Sequence, residues 1–164
     1  VNTEETLQLA SDILTNWAWE TEASRPAPNR LDVWLSRPDD LVPMVVGLRV
    51  KRLGYLTAIT GLDEGPKADR IEVLYHFCTG EAIVTLRVRL PRENPAVPTL
   101  SEIIPGAEVF ERELAEMLGV TVRGLRSPAH LYLPDDWPDG VYPLRKDGDL
   151  ASLREGNGHA NHTP

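Results

Sequence analysis

The sequence predicts an α+β fold: an antiparallel-rich sheet with helices packed on it, in a single domain with an irregular C-terminal extension. Three observations carry that prediction. Residues 71–78 and 82–90 alternate between apolar and polar positions and are joined by Thr79-Gly80, the pattern of a hairpin with one buried face. Residues 3–19 and 105–118 instead repeat apolar side chains at helical spacing. A length of 164 residues, 41% of them hydrophobic, suits one domain with its own core.

Taken in order, Asn2 with Glu5 makes a capping-box pattern, and Leu7, Ala10, Leu14, Trp17 and Ala18 follow on one helical stripe. The first helix is therefore expected over 3–19, with Trp17 in the core and Trp19 off the stripe, its side left open. Glu20 to Arg30 holds Pro26 and Pro28 among polar residues and reads as a loop. Leu31, Val33 and Leu35 alternate with Asp32, Trp34 and Ser36 as a short strand. A second helix is expected over 38–52, with Pro43 tolerated in its first turns, Lys51 and Arg52 at the negative end of its dipole, and Gly54 as its stop. Tyr55 to Leu62 is a strand, and Gly61 to Asp69, around Gly65-Pro66, a turn. In the hairpin, His76 reads as a satisfied structural histidine. Arg87 and Arg89 read as solvated outer-face charges, with a basic stripe for a partner as the rarer alternative. Arg92 to Pro98 is a proline-rich loop, Thr99 with Glu102 repeats the capping-box pattern, and Val120 to Val122 is a last short strand. The domain is expected to span 1–147. The tail, 148–164, is rich in Gly, Asn and His and is expected to be disordered.

Composition narrows the function. A formal net charge of −8 supplies no field that would attract nucleic acid. A single cysteine, Cys78, allows no internal disulfide and cannot by itself ligate an iron–sulfur cluster. No apolar run is long enough to span a bilayer, so membrane association is expected only through partners. Glycine-rich nucleotide loops and phosphate loops are absent, the four histidines lack ligand spacing, and Asp135, Asp136 and Asp139 around Trp137 read as a solvated acidic loop. No catalytic, cofactor-binding or metal-binding residue is assigned.

The organising stretch is 105–120. Pro105 suits a first helical turn and Gly119 the left-handed position beyond the last. Phe110, Leu114, Met117 and Leu118 form an apolar stripe. Glu108, Arg112 and Glu116 fall on the opposite face as two successive i,i+4 charge pairs. Glu113 falls on the edge of the apolar stripe, where a carboxylate either reaches out to solvent or pairs with a base in this chain or a neighbouring one. An internal partner is expected for Glu113 and an assembly role for Arg112.

These residues carry a resemblance. Glu111-Arg112-Glu113, then Met117, then Gly119-Val120, is similar to the signature helix of the 30 kDa subunit family of respiratory complex I, the NADH–quinone oxidoreductase, a family shared with membrane-bound hydrogenase complexes. Pro143-Leu144-Arg145-Lys146-Asp147 resembles that family's closing motif. The chain departs from the pattern at Glu116, where Asp is usual, and at Leu118, where an aromatic is usual. The resemblance implies a cofactor-free peripheral-arm subunit on the cytoplasmic side of the cell membrane. It would pack against the large quinone-site subunit and support electron transfer from NADH to quinone coupled to ion translocation. NADH, FMN, iron–sulfur clusters and quinone would be held by partner subunits. Both motifs would be structural and interfacial. The alternatives are the equivalent subunit of a membrane-bound nickel–iron hydrogenase or formate hydrogenlyase, and a stand-alone binding module outside redox chemistry.

Overall fold

The two alternating runs become the middle of the sheet. In the computed structural model, which describes residues 2–17, 22–126 and 129–148, the hairpin consists of β4 (Arg70–Thr79) and β5 (Ala82–Pro91), paired antiparallel from Arg70↔Pro91 to Thr79↔Ala82. On one side β3 (Tyr55–Gly65) pairs antiparallel with β4. On the other, β2 (Arg30–Leu35) pairs parallel with β5, and β1 (Glu22–Ser24) closes that edge antiparallel. The order among the described residues is β1-β2-β5-β4-β3. The fold is α+β with a mostly antiparallel sheet, as the periodicity predicts.

The inward phase is apolar throughout: Leu31, Val33 and Leu35, then Val73, Tyr75 and Phe77, then Val84, Leu86 and Val88, all buried. Helix α1 (Thr3–Trp17) lies over β2 and β5, and α2 (Leu41–Val50) packs beside α1. Helix α3 (Ala107–Leu118) lies over β3. Leu7, Ala10 and Leu14 of α1 and Leu41, Met44, Val45 and Leu48 of α2 complete the core. A second, two-stranded parallel pair, β6 (Ala96–Pro98) with β7 (Thr121–Arg123), brackets α3. The expectations for the Trp17 and Trp19 side chains, and for the tail beyond Gly148, lie outside the described residues.

Several expectations are corrected. The loop expected at 20–30 contains β1, whose three residues are all exposed and so leave no apolar alternation to read. The proline-rich loop contains β6, which is too short for a periodic signal. The helix expected at 38–52 begins as a 3-10 turn at Pro38–Asp40 and ends at Val50. Its left-handed terminal residue is Arg52, at φ 55°, rather than Gly54. Gly54 is needed two residues on, because a Cβ there would lie 2.6 Å from the Cys78 carbonyl oxygen. Gly61 is no turn residue. It sits inside β3, where a Cβ would collide with Leu118 Cδ1 and lie 2.7 Å from Leu114 Cδ1, so it is the notch into which α3 packs.

The outer face of the sheet carries no helix among the described residues; Arg89 is exposed there as expected, whereas Arg87 is half-buried in a charge network. Arg87 donates to Asp32 Oδ2 at 2.9 Å and to Glu72 Oε2 at 2.5 Å. Trp34 Nε1 donates to the same Glu72 at 2.8 Å, and the Arg87 and Arg89 guanidinium groups lie 4.6 and 5.2 Å from the centre of the Trp34 ring. Arginine heads laid over one indole cover Glu72, which is only 3% exposed. His76 bonds to Thr85 Oγ1 at 3.2 Å, in keeping with a structural histidine.

Candidate subunit interface

Helix α3 starts after Gly106, just past Pro105. It stops on Gly119 at φ 68°, whose N–H donates to Ala115 O at 2.9 Å. Its boundaries follow the proline–glycine punctuation, but its faces do not follow the apolar stripe. The residues turned fully inward include Ala107, Glu111, Leu114 and Leu118, while Phe110 and Met117 lie half-buried on the shoulders. Glu111 is 0% exposed. Its carboxylate accepts the Leu100 N–H at 2.5 Å and the Thr99 hydroxyl at 2.6 Å. Burial pushes this carboxyl above its ordinary value, and those two donors offset it only in part.

The expected outer pairs Glu108–Arg112 and Arg112–Glu116 are not ion pairs in the structure. Arg112 donates to Ala129 O (Nε 3.2 Å, Nη2 2.9 Å) and to His130 O (2.9 Å). Glu116, one turn on and buried, accepts the Leu131 and Tyr132 N–H groups at 2.8 Å each, with His130 Nδ1 at 3.4 Å. Burial raises the Glu116 carboxyl, but the N–H groups of Leu131, Tyr132 and Leu133 together with His130 outweigh it, and the net shift is downward. A cation and an anion on one helix face thus hold the main chain of residues 129–132, the cation by carbonyls and the anion by amides.

The two motifs meet. Leu144 N–H donates to Met117 O at 3.0 Å and Arg145 Nε to Leu118 O at 2.8 Å, so the closing motif satisfies the last carbonyls of α3. Pro143 is half-buried beside them, and the Arg145 guanidinium stacks 4.9 Å from the Tyr142 ring centre. Lys146 N–H donates to Asp63 Oδ2 at 2.8 Å, and Asp147 accepts from Arg92 at 2.5 and 3.0 Å. Asp63, 4% exposed, also accepts Arg92 Nε at 2.8 Å, Arg92 Nη2 at 2.7 Å and the Gly65 N–H at 2.8 Å. The Arg92 guanidinium holds the Asp63 carboxyl far below the usual carboxylate range, and it holds Asp147 down as well. Sequence reasoning misses both Asp63 and Arg92. The available signal is phase, since Asp63 shares the inward register of β3 with Ile59 and Gly61, where an acid demands a partner.

Glu113 also differs from expectation. Among the described residues it has no hydrogen-bond or ion-pair partner, although it is half-buried. It lines a small cavity of about 150 Å³ with Thr60, Gly61, Met117 and Leu144, at the edge strand of the sheet. Leu144 is 58% exposed there, and neighbouring Val109 on α3 is 47% exposed. In the structure Arg112 has internal main-chain partners, and the half-buried Glu113 has no internal partner among the described residues, contrary to the expectation for Glu113. No helix among the described residues is long and apolar enough to cross a membrane, and none of their His, Cys, Asp and Glu side chains cluster in threes to suit a metal ion.

Known proteins share this framework. The family described as respiratory-chain NADH dehydrogenase, 30 Kd subunit, matches residues 34–153. A subunit of the NADH-quinone oxidoreductase of Moorella thermoacetica is 36% identical over 112 residues, 66% of this chain and 74% of that one. Formate hydrogenlyase subunit 5 of Escherichia coli K12 is 32% identical over 138 residues, 82% of this chain, although the matched part spans only 23% of that protein. Among solved structures, a chain of the membrane-bound sulfane sulfur reductase, an archaeal respiratory membrane complex, superimposes with a TM-score of 0.71 and 25% identity, covering 98% of this chain and 95% of that one.

Proposed function

The chain belongs to the 30 kDa subunit family of respiratory-chain NADH dehydrogenase, and on that premise we propose that it is a peripheral-arm subunit of a membrane-associated NADH–quinone oxidoreductase. In this reading it has no active site of its own. It lies on the cytoplasmic side of the membrane and packs against the large quinone-site subunit, while NADH, FMN, iron–sulfur clusters and quinone are held by partner subunits. Its task is to support electron transfer from NADH to quinone coupled to ion translocation.

The observation that carries the packing role is the formate hydrogenlyase relative. There the matched stretch occupies 23% of a much longer chain, so the domain is one part of a larger polypeptide. In this reading the domain makes an equivalent contact with a larger quinone-site subunit. The signature helix supplies a surface for it, with Glu113 unpaired beside exposed Leu144 and Val109. A tagged chain isolated from host membranes is expected to bring with it NADH–quinone reductase activity, while the chain purified alone is colourless and inactive. Turnover or stoichiometric iron in the isolated chain would overturn the reading. The second reading, a subunit of a hydrogenase or formate hydrogenlyase complex, is favoured by the larger share of this chain matched by formate hydrogenlyase subunit 5 (82% against 66%). Hydrogen- or formate-dependent reduction by the co-purified complex, without NADH oxidation, would select it.

A further inference from the structure

The far end of the sheet carries a second surface, unrelated to either motif. Arg49, Lys51 and Arg52 follow within four residues at the end of α2, all exposed and none with a side-chain partner among the described residues. Most other described arginines are engaged: Arg25, Arg37, Arg70, Arg87, Arg89, Arg92 and Arg123 with carboxylates, Arg112 and Arg145 with main-chain carbonyls. Arg49 and Arg52 line an open cleft of about 570 Å³, within the roughly 300–1,000 Å³ common for ligand clefts. Its floor is apolar, formed by Leu56, Phe77 and Ile104, and Tyr55, 69% exposed, stands at its mouth. Val50, 72% exposed, sits between the cations. Tyr55 and Leu56 begin β3, an edge strand of the sheet.

Arg49, Lys51 and Arg52 all suit the negative end of the α2 dipole, but the dipole does not require the backbone conformation of Arg52. Arg52 occupies the left-handed position of a helix-ending motif, with its own N–H on Arg49 O at 2.9 Å and the Leu53 N–H on Leu48 O at 2.9 Å. Glycine fits that position without strain, and an arginine there is strained. This sets a guanidinium, unpaired among the described residues, at the rim of an apolar cleft, on a chain of net charge −8, at a backbone position that glycine would fill with less strain.

We propose that this cleft binds an extended acidic segment of another protein, with carboxylates on Arg49, Lys51 and Arg52 and an intervening apolar side chain on the Leu56–Phe77–Ile104 floor. The concave apolar floor beside a free strand edge suits a peptide better than a flat lipid surface or a bare phosphate.

The test uses the full chain and a fluorescein-labelled peptide, acetyl-Glu-Asp-Leu-Phe-Asp-Glu, read by anisotropy. Saturable binding that weakens with added salt is expected, with no binding of the same peptide carrying lysine in place of each acid. The double variant Arg49→Glu/Arg52→Glu should lose at least about tenfold in affinity, as expected when close charge pairs turn repulsive. Arg52→Gly separates binding from folding: it should weaken binding while raising the melting temperature by about 2 °C, because strain is removed together with the charge. Equal binding by the variants or by the lysine peptide, or absence of saturable binding, would overturn the proposal. So would displacement of the peptide by inorganic phosphate, or tighter binding to phosphatidylglycerol vesicles that the same substitutions abolish.

Discussion

Asp63 shows what a single side chain can be asked to do. It accepts four hydrogen bonds, two of them from Arg92, and it ties the end of β3 to the closing motif. Removing one member of a buried ion pair strands the other, so Asp63→Ala should cost about 3–5 kcal/mol in urea unfolding. Asp147 shares Arg92 but is exposed, and Asp147→Ala should cost far less than Asp63→Ala in the same assay. Glu111 is the opposite kind of buried acid, held by two neutral donors and no cation. Glu111→Ala leaves the Leu100 N–H buried without an acceptor and should cost about 1–3 kcal/mol. The signs with pH differ. Asp63 is depressed on folding, so its stabilisation is present above the ordinary carboxylate range and is lost as pH falls through its folded value. Glu111 is raised, so its contribution is present below the ordinary range and is lost as pH rises through its folded value. Denaturation of the Glu111→Gln variant and the parent at pH 7 and at about pH 4.5 should show the parent gaining relative to the variant in acid.

At the scale of the element, α3 shows which parts of a helix a sequence discloses. Its ends are legible because proline and glycine have fixed backbone consequences. Its orientation is not, because Glu108, Glu111, Glu113 and Glu116 are chemically alike and helical phase alone cannot say which acid meets a donor inside. The donors are main-chain N–H groups of residues 100, 131 and 132, positioned only by the tertiary fold. The family motif is legible as a string, and so is its closing partner. That the two touch, through the carbonyls of Met117 and Leu118, is not. Glu113→Ala should leave the isolated domain within about 0.5 kcal/mol of the parent, since no described group loses a partner. In host membranes the same variant should co-purify with less of its complex. Arg112→Ala should do the reverse in part, costing about 1 kcal/mol and speeding amide exchange at residues 131 and 132. Gly61→Ala forces two buried leucine side chains of α3 to move and should cost about 1–3 kcal/mol by thermal melt.

For the whole molecule, the strand runs and the α+β class follow from periodicity, because each central strand has one buried face and announces it at every second residue. The parallel pairing of β2 with β5 does not follow, since nothing local in Leu31–Leu35 specifies a partner so far along the chain. The edge pieces β1 and β6 are too short to leave an apolar trace. Electrostatics can be added up across the fold. Asp63, Glu64, Glu116 and Asp147 all sit below their ordinary values and Glu111 alone, of the shifted acids, sits above. The native chain therefore binds fewer protons than the unfolded one in acid, and its urea midpoint should fall between pH 7 and about pH 4. Finally, the hold of Arg112 and Glu116 on residues 129–132 falls chiefly on carbonyls and amides. Such a grip is indifferent to the side chains it carries. The exposed Ala129 and Tyr132 can be exchanged without removing any of these hydrogen bonds, so the stretch works like a faceplate: the frame keeps its bolts whatever pattern the face carries.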